Sequence, residues 1–162
     1  MNHEQKYFIT ILVIFGLGSI VIQTFLVPYL EISGWRPDLV LVIVLLIGKR
    51  FGSIQGSTAG FILGVILDSI TSMPVGITAL PKSLIGYTSG KMKSVGVSGT
   101  MYTVWFVLMI FIHELIIYLF LQFKTDLAFS QLLYTRVFPN SIYSIITFFV
   151  ASFFLKKYFT EE

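Results

Sequence analysis

Apolar residues run along this chain in long blocks, and short intervening stretches hold most of the charge. A helix that crosses a bilayer needs about 20 mostly apolar residues. On that measure the pattern predicts about six transmembrane helices, over residues 7–30, 37–50, 51–72, 77–90, 101–123 and 137–155. Pro28 falls near the far end of the first, where a missing N–H matters least. Pro37 suits the first turn of the second, with its fixed φ and absent donor. The second helix is short for a span, since about 15 residues reach only about 22 Å. It is therefore expected to be tilted or partial, or to sit in a locally thinned bilayer. Met-Pro-Val-Gly at 73–76 reads as a turn, Pro81 as a kink in the fourth helix, and residues 91–99 as a Gly/Ser loop with two lysines. The expectation is an all-α membrane protein, one integral membrane domain over residues 1–162.

Composition agrees with that class. Of 162 residues, 56% are hydrophobic and 12% charged, against roughly 25% charged in soluble domains. A soluble fold of this size could not hide so much apolar surface. The chain has no cysteine, which removes disulfides, thiolate metal sites and Cys nucleophiles. A net charge of +3 is too small and dispersed to suggest nucleic acid. The first apolar run lacks a small-residue cleavage site and reads as a retained span. Placement of charge sets the expected orientation, because cytoplasmic loops are rich in Lys and Arg. With six spans and the N-terminus inside, Lys6, Lys49, Arg50, Lys91, Lys93, Lys156 and Lys157 all fall inside, seven of eleven basic residues. Arg36, Lys124 and Arg136 fall outside, with Glu31, Asp38 and Asp126. Both termini are thus expected in the cytoplasm.

Candidate chemistry concentrates in the third and fourth helices. Gly52, Gly56, Gly60, Gly64 and Asp68 recur every four residues, a spacing that lets a neighbouring helix approach backbone to backbone. Gly86 and Gly90 repeat the pattern, with Lys82 one step earlier. Ordinary bundle packing accounts for such rows. Asp68 and Lys82 are more telling, since a charge at the bilayer centre costs roughly 2.5–3.5 kcal/mol even on lenient scales and needs a partner or a cavity. Both should lie in the outer half, and they are expected to approach each other, either as a pair that holds helix register or as a polar partner-contact site. Glu114 in the fifth span should be protonated or paired. Its neighbour His113 points about 100° away on a helix, so the two make no joint ligand pair. Asp38 stands where the dipole of the second helix favours an anion, beside Arg36 and Pro37 at the outer mouth. The chain has no P-loop and no HExxH. Ser89 and His113 belong at opposite depths. Neither an enzyme, a metal site nor a cofactor is indicated.

Trp35-Arg36-Pro37-Asp38-Leu39, the aliphatic run after it, the break at Lys49-Arg50, the Gly60-x-x-x-Gly64-x-x-x-Asp68 row, Gly76 and the small-residue fourth helix resemble the bacterial rod shape-determining protein MreD family. The resemblance covers essentially the whole chain, and its specific part is residues 35–90. It implies a fold like the S components of energy-coupling-factor vitamin transporters. It also implies an inner-membrane component of the cell-elongation machinery that binds MreC, a bitopic protein. Through MreC it is linked to MreB filaments and to the RodA and class B penicillin-binding protein synthase pair. Arg36, Pro37, Asp38, Gly60, Gly64, Asp68 and Gly76 match the family's characteristic positions. Lys82 departs from them, falling where the family is more often uncharged. The implied function is a non-catalytic membrane scaffold. The alternative is an S-component-like carrier of a vitamin, which would need a roomy pocket of aromatic and hydrogen-bonding groups.

Overall fold

The computed structural model describes residues 3–96, 99–123 and 128–159. Among them six helices follow in order. They are α1 (His3–Phe25), α2 (Leu39–Phe51), α3 (Ser53–Ile70), α4 (Ala79–Ser94), α5 (Gly99–Gln122) and α6 (Phe129–Phe159). A short 3₁₀ turn, Val27–Leu30, follows α1 and takes up Pro28. Wide π turns lie within α1 (Leu12–Leu17) and α6 (Leu133–Val137).

Four helices, α1, α3, α5 and α6, are long and apolar enough to cross a membrane, fewer than the six expected. The difference lies in α2 and α4. Residues 40–48 of α2 are all buried, because α1, α3, α4 and α6 pack around it. A helix that is apolar on every side is enclosed, either by lipid or by protein. Here the enclosure is protein, so hydropathy marked the central core helix of the bundle. At 13 residues it is about 20 Å long. The fourth helix also differs in detail. Pro81 is its third residue, where no internal hydrogen bond is lost, and it does not kink the helix. The helix then continues to Ser94 through residues expected to form a loop. The last helix starts at Phe129, eight residues before the expected 137.

Most of the basic residues gather at one end, while Arg36, Lys82 and Arg136 lie toward the other. Tyr7 Oη donates to the carbonyl of Tyr158 at 3.1 Å, and Lys93 Nζ to the carbonyl of Arg50 at 2.8 Å. The rings of Tyr7 and Phe51 lie 5.9 Å apart. The start of α1 and the ends of α2, α4 and α6 therefore share this basic end. Residues 31–38 and 71–78 lie at the opposite, loop end. Lys124 and Asp126 lie outside the described residues.

The closest packing joins α3 to α4. A Cβ built on Gly56 would stand 2.3 Å from the Gly86 carbonyl oxygen, and one on Gly86 2.1 Å from the Gly56 oxygen. On Gly60 it would meet the Lys82 carbonyl at 2.3 Å, on Gly64 the Cα of Ala79 at 2.4 Å, and on Gly90 the Gly52–Ser53 backbone at 2.2 Å. The two helices thus touch backbone to backbone along their length. Gly52 is not part of the helical row, as the even spacing suggested. Its φ of +101° makes the break between α2 and α3, a conformation that favours glycine.

Adding side-chain volume to this seam is expected to separate the helices. Gly86→Val should destabilise the protein by at least about 1–3 kcal/mol, read as a lower unfolding temperature in detergent. Gly18→Ala, whose new methyl would meet nothing within 4 Å, should leave that temperature unchanged.

Candidate functional site

Four ionisable side chains from two helices and one helix cap meet inside the loop-end half of the bundle. Asp38 is the N-cap of α2: its Oδ1 accepts the Leu41 N–H at 2.8 Å. Its Oδ2 accepts from Lys82 Nζ at 2.6 Å. That ammonium also faces His113 Nε2 at 3.3 Å. An ammonium can only donate, so Nε2 is the acceptor and the imidazole proton is assigned to Nδ1. Nδ1 in turn faces Glu114 Oε1 at 3.5 Å. Lys82 and His113 are wholly buried, and Asp38 and Glu114 nearly so. The result is one chain of contacts, Asp38–Lys82–His113–Glu114, shielded from solvent and joining α2, α4 and α5.

Two expectations are corrected by this geometry. Lys82 does not pair with Asp68; its partners are Asp38 and His113. A lysine side chain swings toward whichever anion its helix face presents, and close α3–α4 packing puts that face against α2 and α5. Asp68 instead spends its carboxylate on backbone. It accepts from Gly76 N at 2.8 Å, Thr78 N at 3.2 Å, Ala79 N at 3.3 Å and Thr78 Oγ1 at 2.6 Å. It therefore caps α4 from the preceding helix, an anion at the positive end of the helix dipole, and closes the 71–78 turn. Gly76 (φ +108°) carries one of those N–H groups.

The second correction concerns ligand geometry. Asp38, His113 and Glu114 bring one ligand atom each to within 4.8 Å of one another, and the helix neighbours His113 and Glu114 themselves approach to 3.5 Å, contrary to the expectation from their 100° separation. The third group arrives from the cap of α2. The Lys82 ammonium, 2.6 Å from Asp38, is the cation at that point, and a metal dication would have to displace it.

A second polar seam ties residues 30–38 to α6. Pro139 has no N–H, so the helical acceptor four residues earlier, the Thr135 carbonyl, loses its partner. The Trp35 indole N–H takes that carbonyl at 2.9 Å. Arg136 Nη1 donates to Gly34 O at 2.5 Å, Arg36 N–H to Asn140 Oδ1 at 3.1 Å, and Asp38 N–H to Ser144 Oγ at 2.9 Å. Tyr143 Oη donates to Leu30 O at 3.0 Å. From the other side, the Gln23 amide of α1 brackets Pro37: its NH₂ donates to Pro37 O and its oxygen accepts Leu39 N–H. The Arg36 side chain, more than half exposed, pairs with Glu31 at 2.6 Å. Sequence reasoning singled out Arg36, Pro37 and Asp38 and missed Gln23, Asn140, Ser144 and Arg136. Pro139, ten residues into α6, was the available signal, because a proline inside a long helix frees a carbonyl that something must satisfy.

The structure thus brings Asp38, Lys82 and Glu114 together with His113. It places Gly60 and Gly64 on the α3–α4 seam, Asp68 and Gly76 at the next turn, and Arg36 and Pro37 on the tie to α6. Across residues 3–161 the sequence matches the family of rod shape-determining protein MreD. No curated protein and no solved structure matches.

Removing one member of a buried ion pair leaves the other uncompensated, at about 3–5 kcal/mol. Asp38→Asn and Lys82→Met are each expected to destabilise by that order. The double variant should recover part of the loss, and a double-mutant cycle in denaturant should show coupling above about 1 kcal/mol. The cycle of Lys82→Met with Asp68→Asn should be far closer to additive. Asp68→Ala should raise amide hydrogen exchange at Gly76, Thr78 and Ala79 while leaving residues 40–48 protected.

Proposed function

We propose a role that starts from an established premise: the chain belongs to the rod shape-determining protein MreD family. It is a multi-pass membrane protein with a role in rod shape determination, and that family is not a known enzyme family. Within that role we infer a non-catalytic scaffold of the bacterial cell-elongation complex in the cytoplasmic membrane. Its partner is an MreC-like bitopic membrane protein. Through it the chain is linked to MreB filaments and to the RodA/class B penicillin-binding protein synthase, helping to organise peptidoglycan synthesis. The basic end faces the cytoplasm with both termini, following the Lys/Arg bias.

One observation carries the scaffold reading. Asp38, Lys82 and Asp68, the charged groups buried at the loop end with hydrogen bonds, spend them on one another, on His113 and on backbone, not on an open polar chamber. Groups used in this way hold a surface in a fixed shape, which suits a protein that positions others. Groups reserved for a ligand would instead line a cavity. The grooves found on the surface are lined almost wholly by apolar side chains. They suit hydrocarbon or a partner helix better than a vitamin, which weighs against the S-component-like carrier. An S-component-like helix arrangement remains part of the proposal, since a scaffold can share it.

Affinity purification in mild detergent tests the reading. The expected result is co-purification of a bitopic coiled-coil membrane protein, lost when the seam variant Gly86→Val disturbs the bundle. A co-purifying vitamin together with an ATPase module would replace the scaffold with the carrier.

A further inference from the structure

The buried cluster contains one carboxyl that its ion pair leaves over. Asp38 and Glu114 bring two carboxyls, and Lys82 brings one ammonium. The ammonium belongs to Asp38, at 2.6 Å, a close charge-assisted contact. Glu114 has no such partner. Its contact is His113 Nδ1 at 3.5 Å, well beyond the roughly 2.7–2.9 Å of a charge-assisted bond, and Nδ1 is left without a hydrogen bond. The other ionisable groups nearby are committed elsewhere. Tyr118, one turn further along α5, interacts electrostatically with Glu114, Arg136 and Arg36, and its hydroxyl accepts from Asn140 of α6 at 2.9 Å. Arg36 pairs with Glu31, and Arg136 donates to Gly34 O. Asp68 faces the start of α4. Among the described residues no lysine or arginine meets the Glu114 carboxyl at ion-pair distance.

His113 does not supply the missing positive charge. An imidazolium carries a donor on both nitrogens. Nε2 lies 3.3 Å from the Lys82 ammonium, which is itself a donor and a cation, so a charged ring would set donor against donor and cation against cation. The ring is neutral, with its proton on Nδ1. The cluster then holds one negative charge in excess if Glu114 is ionised. The Glu114 side chain is only 6% exposed, and α5 holds it about 12 Å in from its loop-end terminus at Gln122. A carboxylate without a cation or donors in such surroundings takes up a proton instead.

We propose that the cluster is a proton-binding site whose proton resides on the Glu114 carboxyl, making the four side chains neutral as a set. Lys82 and His113 are sealed, whereas Glu114 keeps a trace of exposure, so the proton enters and leaves there. Its loss leaves two carboxylates against one ammonium and weakens the hold of α5 on α2 and α4. The loop-end half of the bundle is therefore tightest with the proton bound and loosens as pH rises. Which compartment supplies the proton rests on the orientation proposed above; the site itself does not.

Infrared spectroscopy of the purified full chain in detergent at neutral pH tests this. Wild type is expected to show the C=O stretch of a protonated carboxyl that is absent from Glu114→Gln. Nitrogen NMR of histidine-labelled wild type should show His113 as a neutral ring protonated on Nδ1. Linkage fixes the sign in a stability scan. The native chain holds a proton that the unfolded chain, with Glu114 in water, has released, so stability falls as pH rises from about 7 to about 9. A histidine buried in its neutral form acts in reverse and costs stability as pH falls. The wild-type unfolding temperature should therefore drop over that range. Glu114→Gln, whose amide has the shape of the neutral acid, should unfold at or above the wild-type temperature and lose that pH dependence. Three results each overturn the site: a charged His113 ring at neutral pH, no protonated carboxyl there, or a Glu114→Gln chain that is less stable than wild type or fails to fold. None depends on whether a bitopic partner co-purifies.

Discussion

A lysine ammonium buried in a bundle that sits in lipid has to meet an anion, and much of this protein is arranged around that requirement. Lys82 is wholly enclosed. Its partner, Asp38, is at once the cap of the central helix and the end of the 31–38 segment, so one ion pair joins α4 to the start of α2. His113 and Glu114 extend the same contact to α5. Such a pair is weak evidence of net stability, because desolvation offsets most of its attraction. What it confers is register: α2, α4 and α5 cannot slide past one another without separating charges in a medium that does not solvate them.

The ion pair depends in turn on glycine. Lys82 reaches Asp38 because α4 lies directly on α3, with Gly60 beneath the Lys82 carbonyl and Gly56 against Gly86. Side chains at those positions would push α4 outward. Asp68 completes the hairpin by holding the first N–H groups of α4 from the end of α3. The glycine rows and the intramembrane charges are therefore parts of one device: the glycines set the distance, and the charges set the axial position.

A comparable logic governs the last helix. Pro139 frees the Thr135 carbonyl, Trp35 takes it, and the surrounding donors and acceptors of α6 lace residues 30–38 into place. The loop end is thus as firmly specified as the helical core. For a member of a family that determines cell shape without known catalysis, a rigid loop-end surface carried on a self-paired interior is a coherent design.

The membrane class, the helical character and the glycine rows were legible in the chain itself, because long apolar blocks and four-residue spacings are local properties. The same is true of Asp38 as a cap and of the resemblance over residues 35–90. Local signals could not tell lipid from protein as the surroundings of α2, since both reward the same continuous apolar run. They could not choose the partner of Lys82 either. Asp68 was nearer in sequence and similar in estimated depth, but helix rotation and the close approach of α3 to α4 turned the ammonium toward Asp38 and His113. The same holds for Asn140, Ser144 and Arg136, more than 100 residues from the groups they bind. Which apolar face meets protein, and which anion meets a buried cation, are settled by how helices rotate and pack, and that is a property of the whole bundle.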